Sequence, residues 1–276
     1  LIIKETKFLA NAVPLLVVLI LGSESLTPVH SQNKAQTAGR AVASPNAKQA
    51  RALMESAKQY NQVLESEEAL KLANQAIALD PKQYGAYVER ALAHISLGQT
   101  EQALADFSTA ANSGERKHEK SARREKADLL FRLKRYTDSI NELTTIETKY
   151  GSLSDGMLYR RAHAYLAIGK PNMAVLDLTT AIKGEPSANR LFEARMKAYV
   201  ALKDWDKALA DCNKCIALCN VDEQTLGNRA DLLSMRATIY EKQGKKDLAQ
   251  KDREKAKKTD SANFQNAPFR SDKSRR

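Results

Sequence analysis

The chain has 276 residues, of which 43% are hydrophobic, 28% charged and 6% aromatic, and its formal net charge is +11. That apolar share excludes a wholly disordered polymer, and abundant Ala, Leu, Lys, Glu and Gln with only 11 Gly and 7 Pro point to an all-α chain. The positive balance admits an acidic protein, an anionic envelope surface or nucleic acid as partner, and the compartment decides among them.

At the N-terminus, Lys4 and Lys7 precede the apolar run FLANAVPLLVVLILG at 8–22, and small residues follow at Ser23, Ser25 and Ser31. This order describes a secretory signal peptide, expected over residues 1–31. The run is shorter than the ~20 apolar residues a spanning helix needs, and it carries Asn11 and Pro14. Cleavage would leave no integral span and an exported protein; retention as a membrane anchor is the alternative. Export disfavours nucleic acid as a partner. Residues 32–47 are small and polar and read as a flexible linker.

From residue 48 to 260 the sequence repeats itself. Segments beginning at Ser66, Thr100, Tyr136, Pro171, Trp205 and Lys246 align at spacings of 34, 36, 35, 34 and 41 residues. Each carries a small residue at its fourth position: Ala69, Ala103, Ser139, Ala174, Ala208 and Ala249. Seven residues on come Ala76, Ala110, Ile146, Ala181, Cys215 and Ala256. Seven residues is about two helical turns, so both positions share one face. A second helix precedes each segment, with its own small residue at Ala57, Ala91, Ala127, Ala162 or Ala237. Three residues later stands a larger one: Tyr60, His94, Leu130, Tyr165, Tyr199 or Tyr240. Gly98, Gly169 and Gly244 mark turns, and Pro81 and Pro186 close two units. The tail, 261–276, reads as disordered and basic.

This pattern resembles the tetratricopeptide repeat family, in about six copies. Repeat two carries it as Tyr87, Ala91, Gly98, Ala103, Phe107 and Ala110. Repeat four carries it as Leu158, Ala162, Tyr165, Gly169, Ala174, Leu178, Ala181 and Pro186. Repeat five has Met196 where the small residue belongs. The resemblance implies a right-handed superhelical α-solenoid of antiparallel helix pairs with a concave inner surface. It also implies a non-enzymatic scaffold that binds a protein or peptide, with no cofactor. By analogy with the family, the groove residues are Lys58, Arg124, Tyr159, His163, Glu193 and Lys197. Some members clamp chaperone C-terminal carboxylates with Lys and Asn at the fifth and ninth positions of helix A. Here those positions read Met54 and Lys58, Val88 and Ala93, and Arg124 and Asp128, so the clamp is absent.

The three cysteines lie within CNKCIALC. Cys212 and Cys215 occupy core positions of their helix and behave as small hydrophobes. Cys219, nearest the helix end, is the candidate for a free or intermolecular thiol. Three thiols without a neighbouring fourth ligand make a poor zinc site, and no metal is expected. No glycine-rich phosphate loop, metalloprotease motif or nucleophile elbow occurs. The basic residues Arg116, Lys117, Lys120, Arg123 and Arg124 cluster at the start of repeat three. They offer a second mode of action, binding of an anionic envelope polymer or lipid.

Overall fold

A computed structural model describes residues 44–219 and 226–266. The described residues are helical throughout, with short turns and no strand. Each repeat is a helix A followed by an antiparallel helix B. The six pairs are α1 (Pro45–Gln62) and α2 (Ser66–Leu79), α3 (Tyr84–Ser96) and α4 (Thr100–Ala111), α5 (Arg116–Arg132) and α6 (Tyr136–Tyr150), α7 (Asp155–Ala167) and α8 (Pro171–Gly184), α9 (Asn189–Ala201) and α10 (Trp205–Leu218), and α11 (Leu226–Lys242) and α12 (Lys246–Asn266).

Both ends of the array extend further than the sequence suggested. Ser44 caps α1, its Oγ accepting from the Ala47 amide at 3.2 Å, and Pro45 opens the first turn. Residues 45–47, expected in the linker, are therefore helix. At the other end α12 runs to Asn266, into the expected tail. The expected signal segment, the linker up to residue 43 and the tail beyond 266 lie outside the described residues.

Every A-to-B turn is built the same way. One residue takes a left-handed conformation: Leu64, Gly98, Lys134, Gly169, Lys203 or Gly244, with φ between 59° and 76°. The amide that follows donates to the carbonyl at the start of the last turn, as in Gln99 to His94, Lys170 to Tyr165 and Lys245 to Tyr240, each at 2.8 Å. These are Schellman closures. They leave the two helices antiparallel and in contact.

The small residues do what packing requires. Ala57, Ala91, Ala127, Ala162 and Ala237 on helices A are fully buried, as are Ala69, Ala103, Ala174 and Ala208 on helices B. A side chain as small as alanine there lets helix axes approach closely. Ser139 replaces alanine in repeat three, and its buried hydroxyl donates to the Ala127 carbonyl at 2.8 Å. In repeat five Met196 fills the corresponding helix-A position at 1% exposure.

From α1 to α9, each helix A touches the next helix A, whereas helices B have no comparable contact with one another. The stack therefore closes on its A side and opens on its B side. This is a curved solenoid with helices A lining the inner face.

A ladder of ion pairs reinforces the stack. Arg90 meets Asp106, Arg161 meets Asp177, Arg195 meets Asp211 and Arg236 meets Asp252, each through Nε and Nη2 to both carboxylate oxygens at 2.6–2.8 Å. Lys126 and Glu142 take the same place in repeat three at 2.8 Å. The remaining Nη1 reaches back to helix B of the preceding repeat, at Asn74, Glu147, Thr179 and Asn213 respectively. Each arginine thus joins three helices.

Candidate partner-binding groove

The arginine ladder fixes the register of helix A, because each arginine occupies the seventh position, just before the small residue. The fifth and ninth positions then follow without ambiguity. In repeat two the ninth position is Leu92, and Ala93, expected there from the sequence, is fully buried.

The inner face has three stretches. Along α1, α3 and α5, Lys58, Asn61, Glu89, Leu92, Ile95 and Arg132 surround a recess of about 380 Å³. Lys58 is exposed and pairs loosely with Glu55 at 3.6 Å. Asn61 Nδ2 donates to the Glu89 carboxylate at 3.0 Å and to the Glu89 carbonyl at 2.9 Å. Glu89 is only 8% exposed. Burial pushes its carboxyl above the usual range, and the Asn61 hydrogen bond and Lys58 only partly oppose this.

Between α5 and α7, Arg160 pairs with Asp128. Burial holds the Asp128 carboxyl above its ordinary value even so. Arg124 is exposed on the same stretch and pairs with its neighbour Glu125 at 2.5 Å.

Between α7 and α9 the structure brings four of the sequence-derived residues together. The His163 ring sits edge-on to Tyr159 with centroids 4.4 Å apart. Its Nε2 is buried without a hydrogen-bond partner. Burial and the charge of Lys197 push the imidazole below its usual value, against the pull of Glu193. Glu193 and Lys197 pair at 2.7 Å, and the Arg190 guanidinium lies 5.8 Å from the Tyr159 ring centre. This stretch combines an aromatic face, an uncharged imidazole and a cation, a set that suits a polypeptide segment with mixed polarity.

The basic cluster divides. Arg116, Lys117, Lys120 and Arg124 line one cleft with Ser121 and Met157. Arg123 is not among them. It points to the other side of α5, bonding to Glu142 at 2.7 Å, to the Ala111 carbonyl at 3.1 Å and to Glu119. Adjacent residues on a helix differ by about 100° in direction, so a cluster in sequence need not be one in space.

The cysteines are core. Cys212 and Cys215 are fully buried and Cys219 is 1% exposed. Cys219, the candidate for a free or intermolecular thiol, is closed off from a second chain: it accepts a hydrogen bond from Asn189 Nδ2 at 3.0 Å under the cover of α9 and α11 side chains. Burial pushes the Cys212 and Cys215 thiols up to about 12, far from a reactive thiolate. His94 packs likewise, its Nδ1 2.5 Å from Gln99 Oε1.

Sequence reasoning missed Asn61, Glu89, Arg132 and Arg160 on the inner face. The repeat register carried a signal for them, since they fall within a turn of the fifth and ninth positions.

Comparison with known proteins agrees with this architecture. Residues 88–144 match the sequence profile of the tetratricopeptide repeat. No curated protein matches the chain. Among solved structures, a tetratricopeptide repeat protein from Parabacteroides merdae is similar over 77% of this chain and 93% of its own, at 15% identity and a TM-score of 0.56. PilW, a type IV pilus biogenesis factor, is similar over 79% and 94%, at 16% identity and 0.57. YrrB, described as having an unusual peptide-binding site, is similar over 64% and 90%, at 17% identity and 0.54. At these identities the likeness is one of fold. Among the described residues no helix is long and apolar enough to cross a membrane. Repeat pattern, helix pairing and structural neighbours together show that the chain has the fold of a tetratricopeptide repeat array, and residues 88–144 match that repeat's profile.

Proposed function

We propose that the chain is an exported adaptor that holds a segment of a partner protein along its inner face. The observation that carries this reading is the convergence of Tyr159, His163, Glu193 and Lys197 from two successive helices A. A buried imidazole nitrogen without a partner, beside an aromatic edge, offers an acceptor or donor that a bound segment can satisfy. YrrB lends support, as a protein of the same fold with a peptide-binding site. PilW, a pilus biogenesis factor, is a relative in fold that fits a role in assembly at the cell envelope. The basic and then apolar order of residues 4–22 is what favours export.

The test is site-specific photocrosslinking in cells. A photoreactive phenylalanine analogue at Tyr159 should give a discrete adduct, whereas the same group at Leu176, which is 62% exposed on helix B, should not. Adducts at both sites or at neither would remove the groove from consideration. Export is checked separately, by fusing residues 1–47 to a reporter that is active only outside the cytoplasm.

A further inference from the structure

Helix α5 starts one turn earlier than α3, α7 and α9 when the helices are aligned on the ladder position, Lys126 in α5 and Arg90, Arg161 and Arg195 in the others. The added turn is Arg116–Glu119. It is firmly docked. Glu119 is 4% exposed and bonds to Lys149 at the end of α6 and to Arg123 on its own helix. Desolvation pushes the Glu119 carboxyl up, but the hydrogen bonds outweigh it and hold the group below its usual range. The Arg116 guanidinium lies 5.5 Å from the Tyr150 ring centre. The turn is thus a built part of the array.

Its outward face is cationic. Arg116, Lys117, Lys120 and Arg124 line a cleft of about 500 Å³, closed on the far side by Met157 of α7, with no acidic residue in the lining. Three of these cations stand in the first five residues of the helix, beside its unpaired amides. Cations there oppose the helix dipole, so the arrangement is unfavourable for α5 in isolation. A bound anion would relieve both the mutual repulsion and the dipole conflict. Lys117 and Lys120 have no ion-pair partner among the described residues.

We infer that this cleft between repeats three and four binds an acidic polypeptide segment, the anchoring part of the partner held in the groove. The inference rests on the adaptor reading and adds the chemistry of the partner. Spacing and shape choose a segment over a membrane surface. Arg116, Lys120 and Arg124 follow at four-residue steps, so they rise about 6 Å per step along the helix. An extended chain places side chains of one side about 6.6–6.8 Å apart. Acids at alternate positions can therefore meet successive cations, with an apolar side chain against Met157. The site is a recess between two helices, which a flat bilayer cannot enter as a chain can.

The experiment measures fluorescence anisotropy of a fluorescein-labelled oligoglutamate peptide against the full exported chain. Binding is expected, and it should weaken steeply as salt rises. The double substitution Lys117→Glu and Lys120→Glu should weaken it about tenfold or more, because like charges would then face each other in the cleft. The control, Lys82→Glu with Lys183→Glu, makes the same change in net charge at exposed sites elsewhere and should leave binding within about twofold. Equal loss in both variants would overturn the site, and so would no binding of the peptide at all. Stronger binding to phosphatidylglycerol vesicles, abolished by the same cleft variant, would replace the acidic segment with a lipid surface. The adaptor reading stands or falls by the Tyr159 crosslink, so loss of oligoglutamate binding with the crosslink retained refutes the cleft alone.

Discussion

Arg161 on α7 grips both carboxylate oxygens of Asp177 on α8, Nε to Oδ2 at 2.8 Å and Nη2 to Oδ1 at 2.7 Å, while its Nη1 reaches Glu147 on α6 at 2.6 Å. Arg161 and Asp177 are 6% and 7% exposed. Removing Asp177 leaves the buried Arg161 guanidinium with only its Nη1 contact to Glu147, and its Nε and Nη2 without acceptors. Asp177→Ala should therefore destabilise the array by about 3–5 kcal/mol, whereas replacing both partners with apolar residues of similar volume should recover much of the loss. Urea unfolding midpoints of the single and double variants measure this. A double variant as unstable as the single one would mean that the pair itself, and not the stranded charge, is what stabilises the contact.

Helix spacing makes a second prediction. Ala162 is fully buried where α7 meets its neighbours. Ala162→Leu should force the axes apart and cost about 1–3 kcal/mol. Met196→Ala, at the equivalent position of α9, should also destabilise, because there the neighbouring side chains have packed around a long residue. Enlarging the residue in α7 and shrinking its counterpart in α9 should therefore both lower the melting temperature, and an unchanged thermal melt in either variant would contradict the packing.

The alanine positions were legible in the sequence because close packing fixes residue size, and size is visible in a letter. The left-handed turns were half legible. Gly98, Gly169 and Gly244 announced themselves, whereas Leu64, Lys134 and Lys203 adopt the same conformation without the glycine signal. The ladder was printed in the repeats, with an arginine or lysine before the small position of helix A and an acid sixteen residues on. It went unread because a charged residue on a helix normally signals solvent, and these face a neighbouring helix. Glu89 was hidden for the same reason. Arg123 and Arg124 are adjacent in sequence yet point to different sides of α5, a distinction only the register supplies. Cys219 was singled out by its place near a helix end, but the next repeat covers it.

The turn residues offer a stabilising change. Lys203 holds φ at 59°, a region that costs an L-residue about 1–2 kcal/mol relative to right-handed backbone. Lys203→Gly should stabilise by up to about 1 kcal/mol after the entropy lost by glycine is counted. The Schellman bond from Asp204 to Tyr199, 2.9 Å, does not involve the side chain and should persist. An unchanged or lowered melting temperature would show that the lysine makes a contact worth more than the strain.

Thiol reactivity tests the packing of α10. With Cys212 and Cys215 pushed up to about 12 and closed off from solvent, iodoacetamide should label the native protein slowly and the urea-unfolded protein rapidly. Mass spectrometry of tryptic peptides gives the rate at each site. Fast labelling of Cys219 in the folded state would indicate that the contact between α10 and α11 opens.

Glu89 supplies the pH dependence. Its carboxyl is held above the usual value mainly by burial, with Glu55 and Glu125 adding to the effect and Asn61 and Lys58 opposing it. A folded-state pKa above the unfolded one means that the native state binds this proton more tightly. Its contribution to stability is therefore complete below the unfolded pKa, near 4.5, and is lost as pH rises through the folded value. Glu89→Gln keeps an acceptor for Asn61 Nδ2 and removes the charge. It should raise the melting temperature at pH 7, and the gain should shrink towards zero as pH falls below about 4.5. Acids whose values are lowered, Glu119 among them, change stability in the opposite direction but do so equally in both proteins. The difference between variant and parent melts across pH isolates Glu89, and a difference that grows on acidification would contradict the assignment.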